Sequence, residues 1–302
     1  MVQGRHEQTA ASLALGPAPK HAPRGLWNDA FARLLANRLA VFGMVLIFFV
    51  TVVALFANLL ALHDPTFQDY SAVFAPPGSA HLLGTDNLGR DTLSRLIFGA
   101  RTSLTVGIFA QAILVSIGLP IGALAGFFGG KADNAIMRFV DIIYAFPDLL
   151  LIILLRSIFG GSIFMIFVAI GLVEWTSLAR LTRGQVLFLK SQDYILAARA
   201  LGARWYEIVL RHFMPNGISP IIVAVVFGVP RAIFAEAALS YIGIGVQPPT
   251  PSWGTMVQDG YQAILAFPHL ILSPAVAIGA PTLAFTFLGD GLRDALDPRG
   301  RR

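Results

Sequence analysis

The chain has 302 residues, 56% of them hydrophobic and only 13% charged, with a net charge of +5 and no cysteine. A soluble domain carries about 25% charged residues to cover its surface, so this composition disfavours an ordinary cytosolic enzyme, a disordered chain and a nucleic-acid binder. The excess of basic residues comes without the clustered basic and aromatic patch that nucleic acid requires, and the lack of cysteine removes disulfides, thiolate metal sites and cysteine nucleophiles.

What remains is a polytopic membrane protein, and the segments can be taken in order. Residues 1–24 are loose and polar, with scattered proline and glycine, and predict a disordered tail. Leu39–Leu62 runs 24 residues without a charge, about 36 Å as a helix. That is too long for the apolar core of a signal peptide, so it reads as an uncleaved anchor. Thr102–Gly130 and Tyr261–Gly289 are uncharged runs of 29 residues each, long enough to span. Between them, Phe139–Trp175 is apolar but contains Asp141, Asp148 and Arg156 and is broken at Gly160–Gly161. It predicts two helices, near 135–156 and 162–180. Another is predicted over 218–245, with Arg231 and Glu236 inside it. The stretch VQPPTPSWG at 246–254 is turn chemistry, because Pro248, Pro249 and Pro251 cannot continue a helix. The expected fold is all-α, with six transmembrane helices.

Six crossings put both termini on one side, and lysine and arginine mark which side is cytoplasmic. The termini and the connections between helices 2 and 3 and between helices 4 and 5 carry 17 basic residues, against four (Arg90, Arg95, Arg101 and Arg156) on the other side. Both termini are therefore expected in the cytoplasm. The chain divides into a cytoplasmic tail at 1–37, a first span with an outer loop at 38–100, a multi-span domain at 101–291 and a cytoplasmic tail at 292–302.

The longest cytoplasmic connection, 181–216, is too structured for a plain linker. Ser191 or Asp193 can cap a short helix. Ile195, Ala198 and Leu201 form an apolar stripe at helical spacing, and Gly202 can take the left-handed conformation that ends it. A second helix is expected through Tyr206, Ile208, Val209 and Leu210, stopped by Pro215. A short helix held between two spans can dock in the groove of a soluble partner; the alternative is a helix lying on the bilayer surface.

The run AARALGA at 197–203, followed by Ile208 and by HFMPN at 212–216, resembles the coupling-loop signature of ABC-importer permeases. Four longer stretches add to it. HLLGTDNLGRDTLSRLIFGARTSL at 81–104, GGKADNAIMRFVDIIYAFPDLLL at 129–151 and SYIGIGVQPPTPSWG at 240–254 are similar to the C-type permease of dipeptide and oligopeptide importers, as is LGDGLRDALDPR at 288–299. The resemblance implies a type I importer transmembrane subunit in the cytoplasmic membrane, surrounded by lipid. It implies a homologous second permease, two separate ATPase subunits and an extracytoplasmic substrate-binding protein as partners, and no cofactor. It assigns ATPase coupling to Ala197, Ala198, Arg199, Ala200, Leu201, Gly202, Ile208, His212 and Pro215. The glutamate that usually opens the motif is Leu196 here. The outer loops at 63–100 and 246–260 are the expected docking surface for the binding protein.

Charges inside a membrane cost about 2.5–3.5 kcal/mol each on insertion scales and should be paired or line a wet path. Arg138 and Asp141, three apart on one helix, are expected to pair near the cytoplasmic end. Arg231 and Glu236 are expected near mid-depth, either facing a cavity and contacting a zwitterionic substrate or paired with another helix. Glu174 reads as a loop-facing structural group. Gly118, Gly122 and Gly126 give two overlapping small-residue spacings that predict close helix packing within the subunit. GGK at 129–131 is no phosphate loop, since Ala125 and Ala132 stand where glycine and serine or threonine are required. No catalytic constellation stands out, and no two histidines have the spacing of a helical metal pair. A permease for nickel or another non-peptide substrate shares these signatures, and a self-contained secondary carrier is the alternative from another class.

Overall fold

The computed structural model describes residues 26–160 and 162–297; the expected tail at 1–24 lies outside them. The described residues are helical apart from loops and one isolated bridge between Thr85 and Asp91. Helix α1 (Leu26–Ala36) is amphipathic and was not expected from the sequence. Its Ala30 and Leu34 pack with Ala40 and Ala295. Helix α2 (Arg38–Leu55) begins at Asn37, whose Oδ1 accepts from the Leu39 and Ala40 amides at 3.1 and 3.2 Å. The uncharged run breaks at Phe56, and a single turn, α3 (Ala57–Leu60), follows.

Helix α4 (Thr92–Phe128) starts ten residues before the uncharged run. The reason is a cap: Asp91 Oδ2 accepts the Ser94 amide at 2.8 Å, so Arg95 and Arg101 fall inside the helix. The helix expected at 135–156 is two helices, α5 (Gly130–Tyr144) and α6 (Asp148–Phe159), bent by 83°. Pro147 disfavours helical geometry in the residue before it and sets the break. Helix α7 (Ile163–Lys190) continues ten residues beyond its expected end at 180, capped at its start by Ser162. Helix α8 (Asp193–Ala200) follows Gln192 rather than a capping side chain, so neither Ser191 nor Asp193 acts as its N-cap. Helix α9 (Trp205–Ile208) then runs through a π-helical stretch, Val209–Phe213, into α10 (Met214–Tyr241). Pro215 therefore opens α10 instead of stopping a helix. In a first turn its missing amide hydrogen would have no partner. Helix α11 (Trp253–Gln262) was also unexpected, and Tyr261 belongs to it; the last span, α12, is His269–Leu296.

Five helices, α2, α4, α7, α10 and α12, are long and apolar enough to cross a membrane, and α5 with α6 makes up to six. That pair connects opposite ends of the molecule. At one end Asp133 holds Arg183 through two bonds of 2.5 and 2.6 Å, beside Lys190, which donates to the Phe127 carbonyl. At the other end Arg156 donates to the Ile244 and Gly245 carbonyls at 3.0 and 2.8 Å. The bent pair is thus one broken span, in agreement with six crossings.

The glycine spacing packs within the subunit, as expected. A methyl group at Gly118 would lie 2.7 Å from the Trp175 carbonyl oxygen, one at Gly126 would lie 2.9 Å from that of Arg183, and one at Gly122 would overlap that of Ala179. These are backbone atoms of α7, so the two helices touch along their backbones.

Candidate functional site

The 181–216 connection builds an anchored, outward-facing helix. Ile195 and Ile208 are buried with Val186, Leu189 and Phe213, and Phe127 of α4 packs on the same cluster. Leu196, Ala197, Arg199 and Ala200 are exposed, and Leu201 is 88% exposed. Gly202 has φ +84°, the left-handed conformation expected of it. The predicted coupling residues therefore divide: Ala197, Arg199, Ala200, Leu201 and Gly202 form a surface, Ala198 is half-buried, and Ile208 is its anchor. The side chains of His212 and Pro215 lie outside the described residues.

The intramembrane charges are rearranged relative to expectation. Asp141 does not pair with Arg138 but with Arg180 of α7 at 2.7 Å, and Arg180 lies 3.8 Å over the Tyr144 ring. The cation inside α7 needs an anion, and Asp141 leans across to it; Arg138 is exposed on α5. Arg231 and Glu236 do not share a site. Five residues on a helix turn by about 140°, so the two point to different faces. Nor is Glu236 at mid-depth or on a cavity. It lies five residues from the outer end of α10, 0% exposed, and accepts from Ser103 at 3.0 Å and Ser240 at 2.7 Å. Ser103 also accepts the Trp253 amide, and Ser240 that of Val246. The carboxyl is the hub that ties α4, α10 and the segment entering α11. Arg231 is exposed and interacts electrostatically with Glu174 of α7, as does Asp148 at the start of α6. Glu174 is thus no loop group; it sits in the middle of α7, because that helix continues to Lys190.

A second outer structure was not foreseen. Asp86 Oδ2 accepts from Arg90 Nε at 2.7 Å and from Arg95, and Asp259 Oδ2 accepts from both arginines at 3.0 Å. This charge-balanced box fastens α11 to the start of α4. The capping pair Ser252 and Thr255 was the sequence signal for α11, but Arg90 and Asp259 are 169 residues apart and no local pattern joins them.

Residues 118–302 match the family described as the binding-protein-dependent transport system inner membrane component. Residues 25–77 match the N-terminal transmembrane domain of oligopeptide transport permease C. The chain belongs to the binding-protein-dependent transport permease family. It is 40% identical over 294 residues to the oligopeptide transport system permease protein OppC of Bacillus subtilis, covering 97% of this chain and 96% of that one. The dipeptide permease DppC of the same organism is 41% identical over 276 residues, with 91% and 86% covered. The glutathione permease GsiD of Pectobacterium atrosepticum is 38% identical over 297 residues, with 98% and 99% covered. The fold is similar to a chain of the inward-facing MetNI methionine ABC transporter, with a TM-score of 0.55, 19% identity and 68% and 97% covered. As a member of this permease family the chain is a multi-pass inner-membrane component. It has no ATPase domain, and the family implies ATPase and binding-protein partners.

Proposed function

We propose that this permease translocates peptides, pairing with a homologous permease, two ATPase subunits and an extracytoplasmic binding protein. The observation that carries the coupling role is the exposed face of α8, fixed from below by Ile195 and Ile208. An exposed apolar side chain on a rigid base suits docking in a groove. Motion of the ATPases would reach α4 through the shared cluster at Phe127. Leu196 in place of the usual acidic residue makes this contact apolar.

Leu201→Asp is therefore expected to leave the subunit in the membrane while lowering ATP-driven uptake about 30-fold, the cost of removing a contact worth about 2 kcal/mol. The ATPase subunits should also be lost on purification. Full uptake with full ATPase recovery would sink the coupling assignment.

The path is assigned to the face carrying Arg231, Glu174 and Asp148. Its two signs of charge match a substrate with an ammonium and a carboxylate end, the feature common to dipeptides, oligopeptides and glutathione. Arg231→Gln is expected to raise the uptake KM about tenfold for peptides with a free C-terminal carboxylate, since a charge-assisted hydrogen bond contributes about 1.5–3 kcal/mol. C-terminally amidated peptides should be affected much less. Equal losses for both would argue against direct contact. Competition among peptides of two to five residues and glutathione, in vesicles holding the whole transporter, assigns the substrate length.

A further inference from the structure

Three side chains that neither surface uses converge at the outer end. His63 follows α3, His81 lies in the irregular segment before α4, and Asp91 is the N-cap of α4. Asp91 Oδ1 is 2.9 Å from His81 Nδ1 and 3.7 Å from His63 Nδ1. All three ligand atoms lie within 4.8 Å of one another, and the two imidazole rings are 4.8 Å apart at 39°. We propose that His63, His81 and Asp91 bind one first-row divalent cation, zinc being the ion whose coordination they fit best.

The donor set is the first argument. Two imidazole nitrogens and one carboxylate oxygen are three zinc ligands, a number that leaves a fourth position to water. With bonds of about 2.0–2.1 Å in a tetrahedral site, neighbouring ligand atoms sit about 3.3 Å apart. The two distances to Asp91 bracket that value, and only the separation of the two nitrogens must close. The 3.7 Å separation is too long for a hydrogen bond. The His63 nitrogen thus faces the carboxylate across a gap that an ion would fill. The His63 side chain is 41% exposed, so its ring has room to swing the remaining distance.

The surroundings hold the ligands in place. Asp91 Oδ2 is engaged by the Ser94 amide, which leaves Oδ1 turned to the histidines. The Ser94 hydroxyl accepts the His63 backbone amide at 3.1 Å. Such outer contacts orient metal ligands. The neighbouring box of Asp86, Arg90, Arg95 and Asp259 is already charge-balanced, so it does not neutralise Asp91. The pocket therefore offers a cation one buried carboxylate and two imidazole nitrogens. Sequence spacing concealed it, since the ligands come from three separate stretches. A bound ion would staple the end of the first span to the start of α4 and close the loop between residues 63 and 91, on the face where the binding protein is expected.

The test uses the intact transporter, purified without a histidine tag and stripped of metal. Zinc is expected to bind this chain and to raise its melting temperature. Cobalt(II) in its place should give the visible absorption of a four-coordinate site. His63→Ala, at a part-exposed position, and His81→Gln should each weaken zinc binding at least tenfold and abolish the cobalt signal. Because His6 and His21 offer other nitrogens, the difference between the parent and these variants is the quantity that counts. Zinc affinity unchanged in both variants, or a melting temperature that responds to pH but not to zinc, would overturn the proposal.

Discussion

Gly122→Leu is expected to keep the subunit from accumulating in the membrane. Overpacking a core commonly costs about 1–3 kcal/mol when side chains can shift aside. Here the obstacle is the Ala179 carbonyl, part of the α7 backbone, and the Thr182 side chain lies 2.8 Å from the same added atom. Neither can move without lifting α4 from α7, the seam on which both helices depend. The expected cost exceeds the usual range, and a destabilised subunit is cleared before assembly. Immunoblots of membranes should show a several-fold loss, and any purified remainder should melt lower. Gly184 is the control. It lies on α7 with open space where a methyl group would go, and Gly184→Ala should be neutral or slightly stabilising, as alanine favours a helix over glycine. Wild-type abundance and melting for Gly122→Leu would refute the backbone seam.

Asp86→Ala should produce the second large effect. It leaves Arg90 and Arg95 buried with only Asp259, and breaking a buried pair by removing one partner costs about 3–5 kcal/mol. The side chain of Asp86 is 9% exposed and that of Asp259 is 28%, so Asp259→Ala should cost clearly less, because water can reach the arginines from that side. The readouts are melting temperature and protease cleavage near 246–262 from the outer face. A double variant, Asp86→Ala with Arg95→Leu, should recover part of the loss by removing a cation that has lost its anion. If Asp86→Ala melts like the parent, the box does not fasten α11.

The parts of this fold that were legible in the sequence are those set by local composition. Runs without charge located three of the spans, α2, α4 and α12, and lysine and arginine placement supported the side assignment. The glycines at 118, 122 and 126 announced a close seam because their spacing is itself the interaction. The short helix α8 and its end at Gly202 were legible too, but the stripe of Ile195, Ala198 and Leu201 is split, with Ile195 buried and Leu201 exposed. Pro147 was a local signal for the bend between α5 and α6, but the strong apolar run around it masked the break. Helix ends differ from expectation where a charge lies inside a span: Arg95 pairs with Asp86 and Asp259, and Arg101 donates to the Ala54 and Leu55 carbonyls and to Asn58, so α4 holds both. The role of Glu236 was not legible either. Its hydroxyl partner Ser103 is 133 residues away, and a helix end placed too far along the chain moves the residue from the outer edge to mid-depth. The box at Asp86 and the pair of histidines likewise exist only once the chain has folded.

The length of α4 has a mechanical consequence. Its 37 residues make a rod of about 55 Å. Phe127, beside its inner tip, rests on the cluster that carries α8, and the start of the helix holds the box that fastens α11. The glycine contact at 122 lies about 9 Å from the inner tip and about 45 Å from the outer one. A rod pivoting there has arms in a ratio of roughly five to one, so a 1 Å push beneath α8 corresponds to a swing of about 5 Å at the outer mouth. On the proposed coupling role of α8, leverage of this kind would turn a small stroke at its base into a larger displacement at the far end of α4.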